Sequence, residues 1–264
     1  MLFTIPLAYP TSMNWISGID FPPTILNGGT TYPPTNDWPE TLEWIKLNTP
    51  EDSVIASWWD YGYWIQTMGE RASLADNSTL NDQLIKNIAK MFMSTPNDGW
   101  KMLQEMQADY VVVYVAAYKI DGHVDGNSIY LLNGGGDESK KPWFMRIADV
   151  ELSKYLESDM STGTNYFWNE TLLGQMIPYN IITYYDDVNQ QESKIFQPGF
   201  TPILISEINY ADDGNYPLKL VHTSPSFSNK NIDRLSVVLV YEVNKKYILI
   251  NDDLTINQNI RLEN

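Results

Sequence analysis

The sequence predicts a mixed α/β (α+β) core followed by a β-rich C-terminal unit, and three features of the chain lead to this fold class. Residues 53–57 and 109–116 are short apolar runs rich in β-branched side chains, as expected of buried strands. The segments around them carry apolar residues at helical spacing. From about residue 187 the pattern changes to short strands separated by Pro, Gly, Asn and Asp turns.

These patterns divide the chain into three predicted parts. Residues 1–36 are an apolar stretch and a Pro-, Gly- and Thr-rich lead-in, residues 37–186 form the core domain, and residues 187–264 form a β-rich peripheral domain. We expect the core to open with a helix over 38–47, with Asp37 as its cap and Pro39 in its first turn. A strand at 53–57, a helix at 61–68 and a second short strand at 72–76 follow.

The remaining elements follow from periodicity and from turn residues. Leu80, Leu84, Ile88 and Met91 lie at helical spacing within one predicted helix. Gly174 and Pro178 weaken the last helix of the core. After the helix that contains Leu80, we predict a helix at 98–108, a strand at 109–116, a hairpin or loop at 122–140, helices at 141–156 and 170–184, and strands at 201–209, 218–224, 234–244 and 246–251.

Composition excludes several classes of protein. Hydrophobic residues make up 43% of the 264 residues, with nine Trp and seventeen Tyr, so a disordered chain is excluded despite the net charge of −16. The acidic balance and the lack of a basic stripe argue against a nucleic-acid partner. With no cysteine, disulfides, thiolate catalysis and Cys-ligated zinc are excluded. No run of about 18 apolar residues is present.

The first candidate site is the stretch ASWWDYGYWIQ at residues 56–66. Trp and Tyr offer flat surfaces and single hydrogen-bond donors, and Asp60 offers an acceptor among them. This combination suits the binding of a hydroxyl group or a sugar. The alternative is an aromatic pair packed in the core, with Asp60 capping the helix that follows.

The second candidate site is GGGDESKKPWFMRIA at residues 134–148. Its glycines allow a close approach of the backbone, and Asp137 and Lys140 are spaced to share one helical face. The alternative is a loop followed by a capped helix with a solvated charge pair. The composition of residues 133–141 predicts a loop that is mobile without substrate.

Other kinds of site are weakly supported. His123 and His222 are the two histidines and lie far apart in the sequence, which argues against a histidine zinc site and a Ser/His/Asp triad. No dinucleotide-binding or Walker-type glycine pattern is present. Asn77 and Asn169 open N-x-Ser/Thr sequons and are possible glycosylation sites.

The two candidate sites together resemble one known family. Residues 38–81, with an NTPED turn, WWDYG and an Asp-Asn segment in that order, resemble the catalytic subunit of oligosaccharyltransferase. This membrane enzyme transfers a lipid-linked oligosaccharide to Asn in N-x-Ser/Thr sequons. Residues 137–148 are similar to the DK motif of the family, with Asp137, Lys140 and Phe144 at its three positions. Met or Ile is usual at the third position, and Met145 is the adjacent alternative to Phe144.

The resemblance implies a role in substrate binding and no catalytic residue in this chain. Trp58, Trp59 and Asp60 would bind the hydroxyl of the Ser or Thr at the +2 sequon position, and the apolar DK residue would touch the methyl group of Thr. The predicted pocket therefore consists of Trp58, Trp59, Asp60, Asp137, Lys140 and Phe144, with Tyr61 and Gly62 completing the motif.

The resemblance also implies a larger protein around this chain. The apolar start would be the end of the last membrane helix. A divalent metal, Mn or Mg, and the lipid-linked oligosaccharide would bind to a membrane domain that this chain lacks, so the chain alone is expected to be inactive. The acceptor peptide would bind on the extracytoplasmic face of the membrane, or in the ER lumen of a eukaryote. The acidic, cysteine-free chain looks archaeal, and Asn77 lies where eukaryotic relatives carry a sequon.

Two other functions remain open at the level of the residues. An extracellular carbohydrate-binding module could use Trp58, Trp59 and Asp60 as a sugar platform. A glycoside hydrolase could use Asp60 as one carboxylate, with Asp137 as the second, and would need the two groups about 5–10 Å apart.

Overall fold

The computed structural model describes residues 35–124, 127–132, 135–177, 179–181, 184–186, 191–193, 201–205, 216–228 and 232–247. The lead-in and most of the final predicted strand, at 246–251, lie outside these residues. The predicted mixed α/β fold is confirmed, with helices packed on a largely antiparallel sheet. Each helix among the described residues is too short or too polar to cross a bilayer.

Ten strands are described, and eight of them form one sheet. They are β1 (Val54–Ala56), β2 (Ala72–Ser73), β3 (Tyr110–Val124), β4 (Asn127–Leu132), β5 (Tyr179–Ile181), β6 (Tyr184–Asp186), β7 (Gln191–Ser193), β8 (Thr201–Ile205), β9 (Leu218–Thr223) and β10 (Arg234–Val243). The order β2-β1-β3-β4-β8-β5 runs across the sheet, and β10 pairs with β3 and β9. The strands β6 and β7 form a separate hairpin.

Eight α-helices surround the sheet in the described part of the chain. They are α1 (Asp37–Asn48), α2 (Gly62–Thr67), α3 (Asp82–Met93), α4 (Pro96–Glu105), α5 (Lys141–Ala148), α6 (Asn165–Glu170), α7 (Leu172–Met176) and α8 (Pro225–Ser228). Side-chain caps fix several of their starts. Asn81 accepts from the Leu84 N–H before α3, and Thr95 accepts from the Asp98 N–H before α4, where Pro96 occupies the first turn.

The long strand β3 has different partners along its two edges. One edge pairs antiparallel with β10 over nine residue pairs, from Tyr110 with Glu242 to Tyr118 with Arg234. The other edge pairs in parallel with β1 at residues 110–111 and antiparallel with β4 from residue 117 onward. In the described structure, this leaves residues 112–116 without a strand on that edge, directly beside the end of β1.

Several predicted elements differ from the structure in extent. Asp37 does not cap α1 but lies in its first turn, buried, and accepts hydrogen bonds from the N–H and hydroxyl of Ser226 (2.9 and 2.7 Å). Leu80 precedes α3 and is 90% exposed, so the apolar periodicity starts later than predicted. The helix predicted over 141–156 ends at residue 148, because Asp149 adopts a left-handed conformation with φ of 61°.

The segment after residue 160 also differs from the prediction. In place of one helix over 170–184, the chain forms the short helices α6 and α7 and then enters β5. Thr164 and Thr171 each accept a hydrogen bond from a backbone N–H at the start of these helices. The threonine caps therefore divide the segment into two short helices. Gly174 and Pro178 had predicted a weakened helix but not this division.

The strands predicted after residue 200 are present as β8, β9 and β10, and all three belong to the eight-stranded sheet of the core. The central positions of β10, Val237–Val240, are fully buried against β3. Tyr241 is also fully buried and donates its hydroxyl to the Met176 carbonyl. The division at residue 186 remains a prediction, and β9 and β10 pack with the sheet of residues 37–186.

Candidate functional site

The WWDYG segment forms a turn at the C-terminal end of β1. Trp58 is extended and precedes a single 3₁₀ turn, Trp59–Tyr61, which leads directly into α2. Trp58 is 4% exposed, and the edge of its ring packs on Phe144 at a centroid distance of 4.4 Å. Trp59 is half-buried, with its ring 6.2 Å from that of Trp58. In the turn, Asp60 thus follows the buried Trp58 ring and the partly exposed Trp59 ring.

Gly62 is required by the close packing of this turn. A Cβ atom at residue 62 would lie 2.2 Å from the carbonyl oxygen of Ala75 and 2.5 Å from the Cα of Asp76. Both contacts are with the backbone of the loop after β2, which cannot move aside as a side chain could. The glycine of the motif therefore lets α2 start against that loop.

The alternative for this segment is wrong in one part and right in another: Asp60 does not cap the helix that follows, but Trp58 lies in the hydrophobic core and Trp59 packs against that core. The starts of the 3₁₀ turn and of α2 have no side-chain cap. One carboxylate oxygen of Asp60, Oδ2, accepts from the Lys140 ammonium at 2.6 Å. The other oxygen, Oδ1, is buried and has no hydrogen-bond partner in the described structure. The Asp60 side chain as a whole is 31% exposed.

The DK segment reaches this turn because it fills the gap along β3. Residues Asp137–Lys140 form a 3₁₀ turn where the composition had predicted a mobile loop. A Cβ atom at Gly136 would lie 2.6 Å from the Ala116 backbone nitrogen, so this glycine allows the turn to lie against the strand. Asp137 is fully buried, and its Oδ2 accepts from the Tyr114 N–H at 2.8 Å. The carboxylate thereby takes the place of the missing strand partner.

Tyr61 links the two motifs. Its buried hydroxyl donates to Asp137 Oδ1 at 2.8 Å and accepts from the Lys140 ammonium, also at 2.8 Å. The ammonium lies 4.4 Å from the centre of the Tyr61 ring and 3.5 Å from Asp137 Oδ1. Lys140 therefore contacts both carboxylates and the phenol between them. The Tyr61 ring packs against those of Trp38, Trp64 and Tyr114.

Burial shifts the pKa values of this cluster. Desolvation, followed by the nearby Asp60 charge, raises the pKa of Asp137 to about 6, and the Lys140 ammonium and the Tyr114 N–H oppose this shift. Desolvation and the charges of Asp137 and Asp60 raise the pKa of Tyr61 well above its ordinary value. Tyr61 therefore remains a protonated donor at neutral pH.

A second buried ion pair anchors the turn from its other side. Lys141 is 1% exposed and donates to both the carboxylate and the carbonyl of Glu138. Its ammonium lies 5.2 Å from the ring centre of Phe167 and 6.0 Å from that of Trp168. Desolvation lowers the pKa of Lys141, and the Glu138 carboxylate opposes that shift. The pair fixes the DK turn to the helices behind it.

Phe144 and Met145 are both buried, but only Phe144 has a described ring contact with the motif. The ring of Phe144 is fully buried between Trp58 and Phe92, with the Phe92 ring stacked at 5.4 Å. Met145 is fully buried in the same hydrophobic core. Phe144 therefore supports Trp58 from behind, and in this conformation it presents no surface to a ligand.

The asparagines of both sequons are exposed, but Thr171 of the second sequon is fully buried. The Asn77 amide donates to the Asp60 carbonyl at 3.1 Å and accepts from the Tyr63 N–H at 3.3 Å. These two hydrogen bonds stabilise the WWDYG turn. Asn169 lies near the end of α6. Glycosylation of either residue stays a prediction.

The described residues hold no cluster of three or more His, Asp or Glu side chains suited to a metal ion. Between Asp60 and Asp137 lies the Lys140 ammonium, which contacts both carboxylates and offsets one of their two negative charges. The two carboxylates therefore do not fit a divalent cation in this arrangement.

All six predicted pocket residues meet at one place: Trp58, Trp59, Asp60, Asp137, Lys140 and Phe144. Sequence reasoning missed the bridging role of Tyr61 and the Glu138–Lys141 pair. No local pattern pointed to the first, because Tyr61 and Asp137 are 76 positions apart. A lysine three residues after a glutamate could have suggested the second.

Comparison with known proteins shows similar sequences in one kind of enzyme subunit. The chain is 28% identical over 221 residues to the dolichyl-diphosphooligosaccharide–protein glycosyltransferase subunit STT3B of rice, covering 82% of this chain and 27% of the relative. It is 31% identical over 170 residues to the subunit stt-3 of Caenorhabditis elegans, covering 63% and 20%. The chain thus spans about a quarter or less of these relatives. No family model matches.

Among solved structures, the chain resembles the C-terminal globular domain of an oligosaccharyltransferase from Archaeoglobus fulgidus. The identity is 19% and the TM-score 0.44, and the match covers 79% of this chain and 97% of that one. The resemblance predicted from the WWDYG segment is confirmed by the curated relatives: the chain is related in sequence to the STT3 subunits of oligosaccharyltransferases.

Proposed function

We propose that this chain is the acceptor-recognition domain of an oligosaccharyltransferase and that its WWDYG turn binds the hydroxyl of the Ser or Thr at the +2 position of an N-x-Ser/Thr sequon. The observation that carries the proposal is the state of Asp60. One of its oxygens is bonded to Lys140, and the other is a buried acceptor without a partner. An unpaired buried acceptor is costly, so a donor group supplied by a ligand is favoured there.

The exposure of Asp60 allows a ligand to reach it. Its side chain is 31% exposed, although Oδ1 itself is covered. A ligand hydroxyl would reach Oδ1 once the carboxylate rotates toward the surface. Trp59 is half-buried beside it and offers an indole N–H as a donor to the oxygen of the same hydroxyl. One ligand hydroxyl could then donate its hydrogen to Asp60 and accept a hydrogen bond from the Trp59 indole N–H.

Such a site selects strongly for a hydroxyl group. A peptide with Ala at +2 would leave the Asp60 acceptor unpaired, which reduces binding far more than the loss of a few contacts. The extra methyl group of Thr adds at most about 0.8 kcal/mol over Ser when it is buried. Because Phe144 and Trp58 are covered, this methyl group would lie against the partly exposed Trp59 ring.

The two other functions fit the geometry less well. A sugar platform needs an exposed aromatic face, and Trp58 is 4% exposed. A glycoside hydrolase needs two carboxylates that both reach the substrate. Asp60 and Asp137 are close enough for that, since both contact the Lys140 ammonium, but Asp137 is fully buried and both of its oxygens are bonded.

The proposal assigns the transfer chemistry to another part of a longer protein. The divalent metal, Mn or Mg, and the lipid-linked oligosaccharide would bind to a membrane domain of that protein. The present chain would lie on the extracytoplasmic side of the membrane. The chain alone would then hold the acceptor peptide and show no transfer.

The test is transfer by the full-length enzyme to matched peptides with Thr, Ser or Ala at +2. We expect Asp60→Ala to reduce transfer to the Thr and Ser peptides at least a hundredfold, because the buried carboxylate oxygen without a partner is lost. Asp52→Ala serves as the control, since Asp52 is an exposed carboxylate before β1. Normal transfer by the Asp60 variant, or equal transfer to the Ala peptide by the unaltered enzyme, would refute the proposal.

A further inference from the structure

The resting state of the site raises a question about Lys140. An ammonium group with a flexible four-carbon stem can adopt many positions. Here it contacts one oxygen of Asp60 at 2.6 Å and leaves the other oxygen unpaired. If Lys140 shifted to bridge both oxygens, the acceptor for a ligand hydroxyl would be lost. Something must therefore hold the ammonium off Oδ1.

The Tyr61 hydroxyl holds the Lys140 ammonium in this position. It lies 2.8 Å from the ammonium and is itself fixed by donating to Asp137 Oδ1 at 2.8 Å. Its hydrogen is committed to Asp137, so its lone pair faces Lys140. Its pKa is raised, so it keeps this proton. The ring is 3% exposed and packed among Trp38, Trp64 and Tyr114, so the hydroxyl cannot follow a moving lysine.

Asp137 is fixed in turn by the strand. Its second oxygen accepts from the Tyr114 N–H in the gap along β3, at 2.8 Å. A chain of contacts thus runs from the backbone of the central strand through Asp137 and Tyr61 to Lys140, and from there to Asp60. The Asp60 carboxylate is therefore positioned relative to the sheet and not only by its own turn.

We propose that Tyr61 is a positioning residue of the acceptor site: its hydroxyl holds the Lys140 ammonium on one oxygen of Asp60 and so leaves the other oxygen for the acceptor hydroxyl. This inference rests on the proposed function. It assigns a role in orientation, through two other side chains, and no contact between Tyr61 and the substrate.

The variant Tyr61→Phe removes the hydroxyl and keeps the ring. Tyr130→Phe is the matched control, because Tyr130 is also buried and its hydroxyl bonds to the Ile232 carbonyl at 2.9 Å, away from the site. Two quantities are measured for each variant. The first is the ¹⁵N NMR signal of the Lys140 side-chain ammonium in the 264-residue chain. The second is KM and kcat for the Thr peptide in the full-length enzyme.

We expect the immobilised Lys140 ammonium to give a distinct, slowly exchanging signal in the unaltered chain and in Tyr130→Phe, and Tyr61→Phe to lose it. We also expect Tyr61→Phe to raise KM for the peptide about tenfold while kcat changes less than threefold, since acceptor binding is weakened and the chemistry is elsewhere. A fall in kcat alone, or a change of the same size in Tyr130→Phe, would overturn the inference.

The NMR signal separates this inference from the proposed function. Retention of the Lys140 signal in Tyr61→Phe overturns the positioning role, whatever the transfer assay gives. Normal transfer by Asp60→Ala overturns the acceptor site itself, and the positioning role falls with it even if the Lys140 signal depends on Tyr61.

Discussion

At the scale of single residues, the site illustrates which contacts a sequence can predict. The types of residue at Trp58, Asp60 and Lys140 identified the pocket, because a motif preserves residue types at fixed spacing. The direction in which each side chain points depends on packing between distant segments. Phe144 was therefore placed beside Trp58 by position in the motif, while its orientation, behind the Trp58 ring, required the structure.

The buried orientation of Phe144 gives a prediction about specificity. Phe144→Leu should lower the free energy of unfolding by about 1–2 kcal/mol, less than the 3–5 kcal/mol typical of truncating a buried Phe to Ala. The ratio of transfer to Thr and Ser peptides should change less than twofold, because the ring does not reach the ligand. Denaturant unfolding and peptide competition measure the two quantities. Trp59→Phe is the comparison, and it should change the ratio, because the Trp59 ring is partly exposed beside Asp60.

A different outcome for Phe144→Leu would restore the role that the resemblance implies. If the Thr to Ser ratio changed severalfold while the stability stayed constant, Phe144 would contact the methyl group directly in the bound state. The Trp58 turn would then have to move on binding.

The raised pKa of Asp137 predicts a pH dependence of stability. With a pKa of about 6 in the folded chain against 3.8 ordinarily, the native state binds more protons than the unfolded state between about pH 4 and 6. The contribution of Asp137 to stability is thus greatest below pH 4 and is lost as the pH rises through 6. The difference in unfolding free energy between Asp137→Asn and the unaltered chain should change with pH across this window and be constant above it.

Other carboxylates make an internal control necessary for this measurement. Asp76 and Asp98 have lowered pKa values and shift the stability in the opposite sense at lower pH. Asp98→Asn should therefore show its largest loss of stability, relative to the unaltered chain, at pH 7, with the loss shrinking as the pH falls. If Asp137→Asn behaved like Asp98→Asn, Asp137 would be a stabilising carboxylate with a lowered pKa.

At the scale of elements, local signals predicted the strands better than the helix ends. β1 lies within its predicted run at 53–57, and β3 starts where the run at 109–116 predicted, because a buried strand needs apolar residues along its length. β3 continues eight residues beyond that run, to Val124. The end of α5 was missed since it depends on Asp149 taking a left-handed conformation, which non-glycine residues seldom adopt. The gap along β3 that receives the DK turn could not be predicted, because it results from the pairing of β1 and β4 with separate parts of one strand.

The start of α2 gives a prediction at this scale. Gly to Ala in a helix normally gains about 1 kcal/mol. Gly62→Ala should instead destabilise the chain by several kcal/mol, because its Cβ would lie 2.2 Å from the Ala75 carbonyl oxygen. Gln66→Ala, one turn later on the exposed face of α2, should have little effect. A stable Gly62→Ala chain would show that the loop after β2 can move away from the motif.

At the scale of the whole molecule, the pairing of β10 with β3 joins the end of the chain to its core. The change of pattern at residue 187 predicted a peripheral β-rich domain, and the sequence could not show which strands those β segments would pair with. Nine residue pairs connect β10 to β3, and Leu239 is fully buried between the sheet and its helices. We infer that residues 218–243 unfold together with the segment that carries the WWDYG turn.

The tryptophans of the chain allow this inference to be tested directly. All nine lie at or before Trp168, so their fluorescence reports mainly on the core segment. Trp44, which stacks on His222, and Trp100, which donates to the Asn244 carbonyl, also report on the neighbourhood of β9 and β10. Leu239→Ala should reduce the free energy of unfolding by about 2–5 kcal/mol. If β10 belongs to the same cooperative unit, the tryptophan fluorescence midpoint in urea must fall together with the circular dichroism midpoint. Glu242→Gln, an exposed change on the same strand, should leave both midpoints in place. A fall in the circular dichroism midpoint alone would mean that β10 unfolds first, and that the acceptor site is held by β1, β4 and the DK turn without it.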